Sequence, residues 1–244
     1  VDSLIDGDAR AVYKNVGMDF INYGRLKMFI HAESDDDYTG DYEVEAFIRL
    51  GSDFIDNYYE YRVPLKITLP GNYLPNDQIS KEDRELIWPE SNEIDVAFDE
   101  FGKIKAERNN RKFNINWRFT SGNITVVGNP DLSDVQTIMI GIRNPGSKDR
   151  DPKSVCIWVN ELRVSDFDKN AGWATIGRIN MKLADLATVT ASGKYTTVGY
   201  GSIQQKISQR SRAKTAEFDV SSNITLDKFI PKKVEIGRAS CRER

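Results

Sequence analysis

"GRINMKLADLATVTASGKYTTVGYGS", residues Gly177 to Ser202, alternates polar and apolar side chains along two strand-length runs. Successive side chains of a strand point to opposite faces, so a period of two argues for β-structure. The apolar side is thin: Ile179, Met181 and Leu183 in the first run, then Ala187, Val189, Ala191 and Tyr195 in the second. Strands over a dense core carry Val, Ile and Phe on one face, so these runs are built to face something less demanding. Arg178, Asn180 and Lys182 alternate with the first set, Asp185 interrupts, and the pattern resumes through Thr188, Thr190, Ser192, Lys194 and Thr196. A third run is cleaner still, with Phe218, Val220, Ile224 and Leu226 on one face and Asp219, Ser221, Asn223, Thr225 and Asp227 on the other. Each run has about the 9–11 residues that a tilted strand needs to cross an outer membrane. A half-buried strand of a soluble sheet shows the same alternation, so the pattern alone leaves both readings open.

Upstream, from Val1 to about Phe167, the chain reads as β-rich, with turn signals roughly eight to fifteen residues apart. Expected strands lie in "MDFINYGRLKMFIHAE", "YEVEAFIRLGS", "YYEYRVPLKITL", "EIDVAF", "NINWRFT", "NITVVG", "QTIMIGIRN" and "SVCIWVNELRV", enough for a double sheet. Two short helices are expected, "SLIDGDARAVYKN" from Ser3 to Asn15 and "SKEDRELIW" with Ser80 as its cap. "LPGNYLPNDQ" has the Pro and Gly of a connection. In "QTIMIGIRN" Ile138, Ile140 and Ile142 share a face. In "SVCIWVNELRV" Val155, Ile157 and Val159 oppose Cys156 and Trp158, which predicts a last strand covered on both sides. That ending, after the loop "NPGSKDRDPKS", resembles the closing strands of carbohydrate-binding jelly rolls.

The 244 residues are 39% hydrophobic and 29% charged, enough to bury an ordinary core. No stretch approaches the roughly 20 apolar residues of a membrane helix, which excludes a helical span and says nothing of β-spans. Lys and Arg number 34 against 37 Asp and Glu, interspersed and without a basic stripe, so no nucleic-acid partner is expected. The chain opens on Val1 with no charged-then-apolar leader, as an internal piece of something longer or a processed form would. Its last ten residues, "EIGRASCRER" from Glu235, read like the translation of a sequencing adapter, which would end the biological chain near Val234. Cys241 is then set aside, and Cys156 is left alone as a small apolar residue without a disulfide partner.

Residues that carry chemistry are sparse. His31 is the one histidine, which rules out a two-histidine metal site and leaves a Ser-His-Asp arrangement a single base. No G-x-S-x-G elbow and no phosphate-cradling glycine loop occurs. In "ESDDDYTGDYE", Asp35, Asp37, Thr39 and Gly40 mimic the first half of a calcium loop, but Ala46 stands where the bidentate Glu is required. Glu60, Glu90 and Glu93 are candidate carboxylates for glycosidic acid–base work, with no spacing that singles them out. Tyr58, Tyr59, Tyr61, Trp88 and Trp117 suit either core packing or a sugar-stacking platform, and Trp88 and Trp117 are the candidate stacking residues. No catalytic, cofactor-binding or metal-binding residue is assigned.

Several long blocks, in order, resemble an internal segment of the SprA/Sov family: "VYKNVGMDFINYGRLKMFIHAE", "AFIRLGSDFIDNYYEYRVPLKIT", "VVGNPDLSDVQTIMIGIRNPG", "IWVNELRVSDFDKNAGWATIGRINMKLADLATVTASG" and "GYGSIQQKISQRS". The likeness runs from about Ala11 to Phe229. It implies a giant outer-membrane β-barrel, the translocon of type IX secretion, tied to gliding motility and exporting folded cargo, with no catalysis and no cofactor. The implied partners are type IX cargo proteins, accessory subunits of the secretion machine and outer-membrane lipid. The implied location is the outer membrane of a Gram-negative bacterium. The expected fold is all-β. Residues 1–168 form a jelly-roll-like β-sandwich, a soluble insert in the periplasm or at the cell surface. Residues 169–234 supply amphipathic antiparallel strands of an incomplete barrel wall, and residues 235–244 are the adapter translation. The competing expectation is a soluble carbohydrate-binding jelly roll, and a third is a glycoside hydrolase.

Overall fold

The computed structural model describes residues 1–34, 39–69, 71, 81–146, 150–168, 172–205, 209–211, 213–226 and 239–243. The chain divides into two compact units, Val1–Asp168 and Lys169–Arg244.

The described residues of the first unit hold nine strands, β1 (Ala9–Met18), β2 (Arg25–Glu33), β3 (Glu45–Gly51), β4 (Tyr58–Pro64), β5 (Ile94–Ala97), β6 (Phe119–Ser121), β7 (Ile124–Val127), β8 (Val135–Arg143) and β9 (Cys156–Ser165). Two helices, α1 (Lys81–Ile87) and α2 (Phe98–Asn110), join them. Antiparallel pairing builds one sheet in the order β1-β8-β3-β4-β7-β6 and another in the order β5-β2-β9. One core serves both. Leu26, Met28 and Ile30 of β2 and Ile94 and Val96 of β5 belong to the same apolar cluster as Ala46, Ile48 and Leu50 of β3, and Val126 of β7. On β2 the even-numbered residues are buried while Arg25, Lys27, Phe29 and Glu33 are only partly so, the alternation of a sheet with one covered face.

Five expectations change. The stretch from Ser3 to Asn15 is no helix. Gly7 turns the chain at φ 79° and β1 follows, its helix-tolerant Ala, Arg and Lys overridden by eight register pairs with β8. A helix not expected from the sequence, α2, follows β5 directly and buries Phe98 and Phe101. In "NINWRFT" only Phe119 to Ser121 is strand, because Asn114 caps a turn by accepting from the backbone N–H of Asn116. Strand β9 is an edge, not a covered strand: Trp158, Val159 and Leu162 are exposed. Helix α1 agrees with the sequence, and its expected cap, Ser80, lies outside the described residues. The long-range pairings also cross, β1 with β8 and β2 with β9, whereas a jelly roll nests them.

The second unit is an open sheet of β10 (Ala174–Leu183), β11 (Ala187–Thr196), β12 (Thr215–Ile224) and β13 (Ala239–Glu243), antiparallel in that order. Strand β13 comes from the stretch read above as an adapter translation and pairs along β12 from Val220 to Ile224. Among the described residues the sheet does not close into a barrel. Asp185 sits in the β10–β11 turn, closed by the Leu186 N–H donating to the Leu183 carbonyl at 2.9 Å.

Candidate functional site

Among the described residues, one surface on each unit stands out once the core is accounted for. On the first unit it is the outer face of the β5-β2-β9 sheet. Directly opposed residues of an antiparallel pair share a face, so His31 with Trp158 and Phe29 with Asn160 stand together on it. Toward one end Asp95 takes Arg25 at 2.7 Å and Lys27 at 2.9 Å. Burial pushes its carboxyl up, but these two cations outweigh that and hold it below the usual range. Further along, the Arg163 guanidinium lies 5.3 Å from the Phe29 ring centre.

At the other end a cleft of about 490 Å³ is lined by His31, Glu33, Trp88, Trp158, Val159 and Asn160. Trp88, just past the end of helix α1, forms one wall. The last carbonyls of a helix lack partners within it, and here the Thr68 hydroxyl donates to Leu86 at 3.2 Å while His31 Nδ1 donates to Ile87 at 2.6 Å. That docking brings Trp88, the next residue, to a ring-centre distance of 5.7 Å from His31. His31 is 8% exposed. Its other ring nitrogen, Nε2, lies 3.6 Å from Glu33 Oε2. The other oxygen of Glu33 accepts from the Trp158 indole N–H at 3.3 Å. That bond opposes burial, which pushes the carboxyl up, and with smaller help from His31 it keeps Glu33 below its ordinary range.

The other expected residues are dispersed. Trp117 is exposed and packs edge-on against Phe113 with ring centres 6.0 Å apart, away from the cleft that holds Trp88. Tyr58 and Tyr59 are buried. Glu60 is 2% exposed and paired with Arg49 and Arg118 at 2.6 Å each and Arg62 at 3.5 Å, a structural carboxylate. Glu90 lines a separate cleft with Tyr42 and Lys66. Of the calcium-like loop, Asp35 and Asp37 lie outside the described residues, and the Thr39 hydroxyl donates to the Ser154 carbonyl at 3.2 Å. No group of three potential metal ligands occurs among the described residues. Sequence reasoning missed Trp158 as a cleft residue, although its register partner His31 had already been singled out.

On the second unit the register sorts the side chains. Ile179, Met181 and Leu183 pair with Ala191, Val189 and Ala187, which pair in turn with Val220, Ser222 and Ile224, so nearly all of one face is apolar. Arg178, Asn180 and Lys182 pair with Ser192, Thr190 and Thr188, and these with Asp219, Ser221 and Asn223, so the other is polar. The apolar face is uncovered: Ile179 is 61% and Phe218 82% exposed. At one end of that face Trp173 meets Tyr195 with ring centres 5.3 Å apart. No described helix is long and apolar enough to cross a membrane.

A family model described as "Motility related/secretion protein", SprA_N, matches residues 1–238. Among curated proteins none matches the chain.

Proposed function

The chain belongs to the SprA_N family of motility-related secretion proteins, and on that premise we propose that it is a segment of an outer-membrane β-barrel translocon exporting folded cargo by type IX secretion. Its role is structural and conductive, with no catalytic residue. Cargo proteins, accessory subunits and outer-membrane lipid are its partners, and gliding motility depends on what it exports. The observation that carries this reading is the sheet of β10, β11 and β12, one face apolar and uncovered, the other polar. A soluble protein that left such a face bare would aggregate; a barrel wall puts it against lipid and turns the polar face to a wet lumen. The dimensions agree. Each strand has 10 residues, about 34 Å at the usual rise and about 24 Å once tilted by 45°, close to the apolar band of such barrels. Trp173 and Tyr195 at one end fit the aromatic girdle at a lipid–water boundary.

The test is a pair of spin labels, at Ile179 and at Asn180, in the protein carried by outer-membrane vesicles. Lipid-dissolved oxygen should broaden the first and a water-soluble nickel chelate the second. Both labels reporting water, with the protein recovered outside the membrane, overturns the proposal.

A further inference from the structure

The cleft on the first unit has a chemistry that secretion through a barrel does not call for. We infer that it binds the ring of a neutral pyranoside. The inference stands on Val1–Asp168 alone and is independent of where the second unit resides.

Glu33 stands at the mouth of the cleft with Oε2 3.6 Å from His31 Nε2 and its other oxygen accepting from the Trp158 indole N–H. A half-exposed carboxylate accepts more than one hydrogen bond, so Glu33 suits a ligand that brings two adjacent donors. Neighbouring hydroxyls of a sugar are such a pair. Asn160 adds the complementary group: its carboxamide oxygen accepts from the Glu161 backbone N–H at 2.9 Å, so what it offers a ligand is its NH2. Trp88 and Trp158 supply the apolar component, since the C–H bonds on one face of a pyranose are weakly positive and the face of an indole is negative. An aromatic lining with a few fixed polar groups is the usual make-up of a small-ligand site, and about 490 Å³ accommodates one or two sugar rings.

The backbone beside the cleft is shaped for this. Between the pairs Lys27–Arg163 and Phe29–Asn160, β2 spends one residue and β9 two, a bulge in which Glu161 takes φ 52°. Non-glycine residues enter that region at a cost, and bulges recur where a strand must re-aim a side chain at a site. Here Asn160 is the residue beside the bulge, in register opposite Phe29. An organic cation is the competing ligand, drawn by the same indoles and Glu33.

The experiment is saturation-transfer NMR on the whole chain in a polyoxyethylene detergent, chosen because a maltoside detergent would carry the ligand's own chemistry. The probes are cellobiose and maltose, with tetramethylammonium chloride as the competing class. Saturation of ring protons in at least one disaccharide is expected, with weak, millimolar affinity. Trp158→Ala removes an exposed ring that the fold does not need, and it should weaken binding at least about tenfold. Glu33→Gln, nearly isosteric, should do the same, and Trp117→Ala should change nothing. The inference is overturned if neither disaccharide is saturated, if Trp158→Ala binds as well as the parent, or if tetramethylammonium alone is held.

Discussion

Three guanidiniums converge on Glu60, and that is why a carboxylate offered by the sequence as a catalyst serves as a structural anchor instead. The register that sets Arg49 opposite Glu60 belongs to the β3–β4 pairing and is written in no local motif. A buried charge is tolerable here because each oxygen has a cation to meet. Asp53 is the other telling residue. Burial would raise its pKa, but the Asn57 side chain and the backbone N–H groups of Asp56, Asn57 and Ile55 outweigh it and lower the pKa from 3.8 to about 2. A carboxyl depressed on folding stabilises the native state above its unfolded pKa and loses that contribution as pH falls through the folded one. Stability should therefore decline between about pH 4 and pH 2. In Asp53→Ala that part of the decline should vanish, leaving a flatter acid limb in urea melts taken at a series of pH values. Unchanged acid limbs in the two proteins would refute the assignment.

At the scale of elements, α2 shows what burial does for a weakly apolar helix. Phe98 and Phe101 lie one turn apart and enter the core, Ile104 packs against it, and Phe101 meets Tyr59 with ring centres 5.3 Å apart. Burial in turn pushes the Tyr59 hydroxyl up to about 12. Phe101 is 1% exposed, so Phe101→Ala should cost about 3–5 kcal/mol in chemical denaturation; a loss under about 1 kcal/mol would show that the helix is not a core element. The signals for α2 were present in the sequence: aromatic and aliphatic residues at helical spacing, Asp99 and Glu100 in the first turn and Arg108 in the last. They were masked because "EIDVAF" reads as strand up to the residue where the helix begins. β1 failed in the opposite way, its composition suiting a helix until β8, more than a hundred residues on, claimed it. Runs with a strict period of two, such as those of β10 and β11, were legible because alternation is a local property. The cleft was half legible. Trp88 stood out by type, but its meeting with Trp158 depends on a strand pairing between residues 25–33 and 156–165 and on the docking of α1.

For the whole molecule the two units differ in how they are stabilised. The first encloses a core shared by two sheets, whereas the second is a single open sheet, bare on its apolar face. Residues 1–168 should accordingly express alone and unfold in one cooperative transition. Residues 169–244 should show dispersed amide signals only in detergent micelles, because one open sheet leaves both faces and both edges unprotected in water. Dispersed signals from that piece in plain buffer would contradict this account. The crossed pairings of the first unit carry a further consequence. β2, a central strand, gains its second neighbour only when residues 156–165 exist, and Val1 itself donates to the Val155 carbonyl at 2.8 Å. A ribosome delivers these segments in sequence, so the earliest strands wait, adhesive and incomplete, through most of synthesis. Such a topology makes maturation of the first unit late and abrupt, since β1 and β2 are completed only when their distant partners arrive.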